Sequence, residues 1–168
     1  MPAAGTCLQI CSRPVAAIAA RWQPGFRKPE CRTDQTMPES DLKTMLRTMN
    51  PRQEDGRFVF VALGQDPPSE LDLHATVLEP EGLSAVITQA DADRHGSESD
   101  FVAAWITLRV ESALSAVGLT AEVSRCLAEA GISCNVIAGL RHDHLLVPEG
   151  EAREAMSTLE ALAASADG

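Results

Sequence analysis

Two short stretches of the chain have spacing that suits ligand chemistry. Val117-Gly118-Leu119-Thr120 sits where a strand ends and a helix begins. A helix N-terminus presents unpaired N–H groups and the positive end of the peptide dipole, which together suit a carboxylate. Gly118 lets backbone approach a ligand closely. In the plainer reading Gly118 only makes the turn and Thr120 only caps the helix. His142-Asp143-His144 is the second stretch. Strand alternation would set both imidazoles on one side, as a metal pair requires. Two histidines supply half a zinc shell, however, and neither His74 nor His95 has a spacing that recruits it. The same triplet reads equally as a hydrated hairpin turn, with Asp143 accepting backbone N–H bonds, or as a pH-tunable contact to a ligand or partner subunit. No metal ion and no cofactor is expected.

Catalytic signatures are missing. The chain has no glycine-rich phosphate loop followed by lysine, no Gly-x-Ser-x-Gly elbow and no Cys-x-x-Cys pair. The carboxylates include no pair that stands out as a general acid–base couple. A small enzyme using His142 and His144 is therefore the minor reading, because no nucleophile is placed for them.

The elements that position these stretches follow from periodicity. Trp105 to Val110 alternates apolar and polar residues, the mark of a half-buried strand. From Gly118 a helix follows, with Leu119, Val123, Cys126, Leu127 and Ala130 on one face and Gly131 at its end. Ile132 to Ala138 and Leu145 to Val147 read as strands joined by Gly139 to His144, and a last helix runs from Glu151 to about Ala164. Upstream, Ser40 or Asp41 caps a helix through Met49, which Asn50-Pro51 stops. Phe58 to Leu63 is an apolar strand, Gln65 to Ser69 a loop, and His74 to Leu78 and Leu83 to Thr88 strands around the turn Glu79-Pro80-Glu81-Gly82. Asp91 to Asp100 reads as a polar linker. The expected class is α+β, with helices packed on an antiparallel sheet.

The chain has 168 residues, 45% of them apolar, with no tyrosine and few other aromatics, so its core must be aliphatic. A net charge of -10 argues against a nucleic-acid backbone or an anionic membrane as partner. Residues 1–38 are the exception, with five basic side chains against two acidic ones, which leaves the rest at -13. That segment reads as a disordered or mis-assigned leader, with Met37 as the preferred start; a transit peptide and a secretory signal are the other readings. Five cysteines do not make a disulfide framework at this length, and no run of residues suffices to span a bilayer. A reducing, cytoplasmic setting is expected.

Val117-Gly118-Leu119-Thr120-Ala121, followed by Leu127 to Gly131 and Ile132-Ser133-Cys134-Asn135-Val136, resembles the core of an ACT domain. His142 to Pro148 resembles the signature of small bacterial proteins with two ACT-type halves and no assigned activity. Leu46 to Pro51, Gly56 to Phe60 and Glu79 to Leu83 resemble the same subgroup, so the likeness covers about 40–165 and is strongest over 105–148. It implies a ferredoxin-like sandwich of β-α-β-β-α halves, one over 39–96 and one over 101–165. It also implies a regulatory module that binds a free amino acid and works as a homodimer, without catalysis of its own. The alternative is a structural or partner-docking module without ligand. The implied ligand contacts are Val117, Gly118, Leu119 and Thr120 at the turn, with Asn135, Val136 and Ile137 on the neighbouring strand; His142, Asp143 and His144 complete the set. Leu140-Arg141 stands where relatives often have aromatics. The chain also lacks a final strand for its second half, and Phe58 to Leu63 is expected to cover that edge.

Overall fold

Asp41 accepts the Thr44 N–H at 2.9 Å and so starts helix α1, Leu42–Thr48. Its stripe buries Met45 completely, and Met49 at its end is equally enclosed. Asn50, at φ 39°, turns the chain out of the helix and into Pro51. The structure is a computed structural model and describes residues 38–64 and 70–166, so residues 1–37 of the expected leader and the Gln65–Ser69 loop lie outside the described residues.

The remaining elements are β1 Pro51–Gln53, β2 Phe58–Gly64, β3 Ala75–Glu79, β4 Gly82–Thr88, α2 Gln89–His95, β5 Val102–Leu108, α3 Leu119–Glu129, β6 Asn135–Ala138, β7 Asp143–Pro148 and α4 Ala152–Ser165. They build one antiparallel sheet in the order β3-β4-β2-β5-β7-β6, with β1 also paired to β5. The architecture is the expected one: two ferredoxin-like halves with helices on an antiparallel sheet.

Strand β5 joins the halves. On one side it pairs with β7 over nearly its whole length, Ala103 opposite Pro148 through Leu108 opposite Asp143. On the other it takes two strands end to end: β1 beside Ile106–Leu108 and the start of β2 beside Val102–Ala103. The missing last strand of the second half is thus supplied mainly by β1, with Phe58 and Val59 adding to it. The order β1-β5-β7-β6 is that of a complete four-stranded ferredoxin-like sheet.

The helices cover one face. Met45, Leu46 and Met49 of the α1 segment share a core with Ile106, Leu108, Leu119, Val123, Leu127, Leu145, Val147, Ala155 and Leu159. A smaller core puts Val59, Val61, Ala85 and Ile87 against Ala92 of α2 and Leu71. Phe58, Val86, Ala103, Trp105 and Leu146 form a third buried cluster on the opposite face, made of strand residues alone, where the sheet curls upon itself. This explains why β5 is buried along nearly its whole length on both faces.

Three expectations need correction. The strand expected as half-buried over Trp105 to Val110 runs Val102–Leu108, is buried on both faces and ends well short of the Gly118 turn. The edge expected to be covered by Phe58 to Leu63 is covered mainly by β1, with only Phe58 and Val59 adding to it. The stretch Asp91 to Asp100 does not begin as a linker: Gln89–His95 is helical, with Thr88 Oγ1 accepting the Asp91 N–H at 3.1 Å and Gly96 closing it at φ 67°. Its polarity hides it, because only Asp91 and Ala92 are buried.

Candidate functional site

Gly118 is the N-cap of α3, at φ 106°, and no side chain caps the helix. A Cβ there would lie 2.9 Å from Cδ2 of Leu42, so α1 presses against the turn where the sequence places a ligand. Leu119 is a core residue, whereas Thr120 lies exposed in the first turn of the helix. Val117 is 82% exposed, Leu114 75% and Leu140 78%, an unusual concentration of bare aliphatics on two adjacent loops. The Arg141–Glu111 ion pair at 3.2 Å ties those loops together.

The His142-Asp143-His144 triplet opens β7, but its imidazoles have separate partners. His142 Nδ1 lies 3.1 Å from the Val110 carbonyl. His144 Nδ1 accepts from Trp105 Nε1 at 3.1 Å and lies 3.1 Å from Thr107 Oγ1. Burial pushes the His144 pKa down, aided by nearby His142, and pushes that of Asp143 up. Among the described residues no three His, Cys, Asp or Glu side chains gather to hold a metal ion. Burial raises both described thiols as well, Cys126 on α3 and Cys134 up to about 11, so they stay protonated near neutrality.

Asn135, Val136 and Ile137 lie elsewhere. With Cys134 they border a groove of about 360 Å³ whose other wall is β3 and β4. The curl of the sheet brings these strands from the two halves face to face. Most of the lining is aliphatic; Asn135 and Ser84 supply polar side chains, whereas Thr76, alternating with Ala75 and Val77, meets it with its backbone. The structure therefore separates the expected ligand contacts: Asn135 to Ile137 line this groove, and Val117 to Thr120 and His142 to His144 do not. Phe60, Val77 and Val86, which also line it, have no signal in the sequence beyond strand alternation. Their meeting with β6 depends on curvature, which periodicity does not encode.

The comparisons decide the family. Two family models, each described as an ACT domain, match residues 37–104 and 101–161. This chain belongs to the ACT domain family. The tandem ACT protein is 40% identical to a Vibrio cholerae protein of unknown function, described as a possible transport protein, with a TM-score of 0.67 over 73% of this chain and 95% of that one. It shares its fold with an Agrobacterium tumefaciens protein (19% identity, TM-score 0.51, 67% of this chain and 87% of that one). Clostridium acetobutylicum aspartate kinase, described as an allosteric enzyme, also shares the fold (11% identity, TM-score 0.55, 76% of this chain and 36% of that one). No protein of curated function matches the tandem ACT protein. None of its described helices is long and apolar enough to cross a membrane.

Proposed function

We propose that this protein is a regulatory module that binds a free amino acid between its two halves and catalyses nothing itself. The observation that supports the reading is the groove walled by Asn135–Ile137 of one half and β3–β4 of the other. A concave, mainly apolar site with a few polar groups is the usual form of a small-molecule pocket. The aliphatic lining favours an amino acid with an apolar side chain, its charged end held by Asn135 or Ser84. Occupancy would tighten one half against the other, the change such a module would relay. In this reading the halves are the ACT-like 39–96 and 101–165, the working unit is a cytoplasmic homodimer, and bare Leu114, Val117 and Leu140 form the pairing surface. Pairing would bring a second copy to Val117–Thr120 and to His142, Asp143 and His144.

The test is a thermal-shift screen of the proteinogenic amino acids at millimolar concentration, read with the mass in solution. Ligand at about 100 times its Kd raises stability by about 2.7 kcal/mol. Asn135→Ala should weaken the response. A melting point that no amino acid moves would overturn the proposal. Leu42 pressed on Gly118 favours the second reading, a partner-docking module without ligand; a flat screen beside an intact dimer would support that one.

A further inference from the structure

Strand β3 is an edge, and among the described residues nothing pairs with its outer side. The free N–H and C=O groups of an edge are a template for another strand, which proteins normally block with lysine, proline or a bulge. Here Ala75, Thr76, Val77 and Leu78 carry no charge, and the nearest proline is Pro80 in the turn. Val77 on one face and Leu78 on the other are 55% and 63% exposed. A second groove, of about 410 Å³, adjoins the strand between Val77, Glu79 and Phe60. Val77 thus borders both grooves. Such dimples beside an edge receive the alternate side chains of an added strand.

Charge selects the occupant. From Phe58 to Asp93 the chain has seven carboxylates and no lysine or arginine. Glu70 and Asp72 precede β3, Glu79 ends it and Glu81 follows, and all are exposed. A second copy laid antiparallel on this edge would bring the same acidic flanks together, against a net charge of -10 per chain. A cationic segment meets attraction at both ends. We propose that the β3 edge docks an extended segment of a partner protein by strand addition, apolar at its centre and basic at both ends. The proposal does not rest on the amino-acid reading.

The probe is a labelled, amidated peptide of alternating valine and threonine with two arginines at each end, followed by fluorescence anisotropy at low ionic strength. Saturable binding that weakens as salt rises is expected. Val77→Lys should weaken it about tenfold or more, since a lysine in the middle of an edge strand removes an apolar contact and opposes the addition of a cationic strand. Leu78→Lys, on the other face, serves if the first variant unfolds. Glu79→Gln with Glu81→Gln should weaken binding severalfold and flatten its salt dependence. No binding of the basic peptide, equal binding of a glutamate-ended peptide, or indifference to both lysine variants would overturn the proposal. So would a dimer that Val77→Lys dissociates, since the edge would then belong to a second copy. The amino-acid screen, run on the Leu78→Lys variant, whose side chain lies outside both grooves, reads the other proposal separately.

Discussion

Trp105 Nε1 and His144 Nδ1 stand 3.1 Å apart across the β5–β7 pairing. An indole nitrogen only donates, so His144 Nδ1 must accept. The neutral ring therefore carries its proton on Nε2, and a second proton on Nδ1 would set donor against donor. Burial already disfavours the charged ring.

The pH dependence follows. With its folded pKa below the ordinary 6.5, His144 lets the unfolded chain bind more protons between the two values. Its contribution to stability is complete above pH 6.5 and is lost as pH falls through the folded value. Asp143, shifted upward, has the opposite slope above its ordinary 3.8: protonation there favours the folded chain. Melting curves between about pH 7.5 and 5 should show the loss, and His144→Asn should flatten it. His144→Phe leaves the Trp105 N–H unpaired and should cost about 1–3 kcal/mol near neutrality. An unchanged slope in His144→Asn would remove this account.

Gly118→Ala should destabilise by about 1–3 kcal/mol, because φ of 106° is foreign to an L residue and the new Cβ meets Leu42. Adding Leu42→Ala should recover the steric part but not the backbone part. Denaturant titration of both singles and the double checks this; strictly additive losses would mean that the contact carries no strain.

Residues 101–166 expressed alone should not fold stably. They lack β1 on the β5 edge and lack Met45 and Met49, each fully buried against their core. Within the whole chain Met45→Ala should cost about 2–5 kcal/mol. A cooperative thermal transition from the isolated fragment would contradict the strand exchange.

Thr88→Ala should cost about 0.5–2 kcal/mol by uncapping α2. The loss should register as faster amide exchange over Gln89–His95, with exchange in β5–β7 hardly changed.

Periodicity and punctuation recovered most of the fold. Asp41, Gly131 and the Glu79–Gly82 turn are local signals, and the helices and strands beside them form with shifted bounds: the strand after Gly131 begins at Asn135 rather than Ile132, and Glu79 joins β3. Two elements escaped. α2 is too short to show a stripe, although Thr88-Gln89-Ala90-Asp91 with Gly96 is a capping signature that could have found it. β1 is three residues long, and only its partner β5 makes it a strand.

The site was less readable, for a physical reason. Gly118 and its helix start are local features, and both are present. Leu42 against Gly118, Trp105 against His144, and β6 across from β3 join residues far apart in the chain. Strand pairing sets the second, helix packing the first and the curl of the sheet the third. Local spacing carries no record of them.

Because Pro51 pairs with Leu108 of β5, the order of synthesis has a cost. On the ribosome α1 and β1 emerge early, and Met45 and Met49 stay bare until β5 and the later helices follow them out of the exit tunnel. A nascent chain stalled between the two would display a sticky, half-built body, the form that chaperones and proteases recognise.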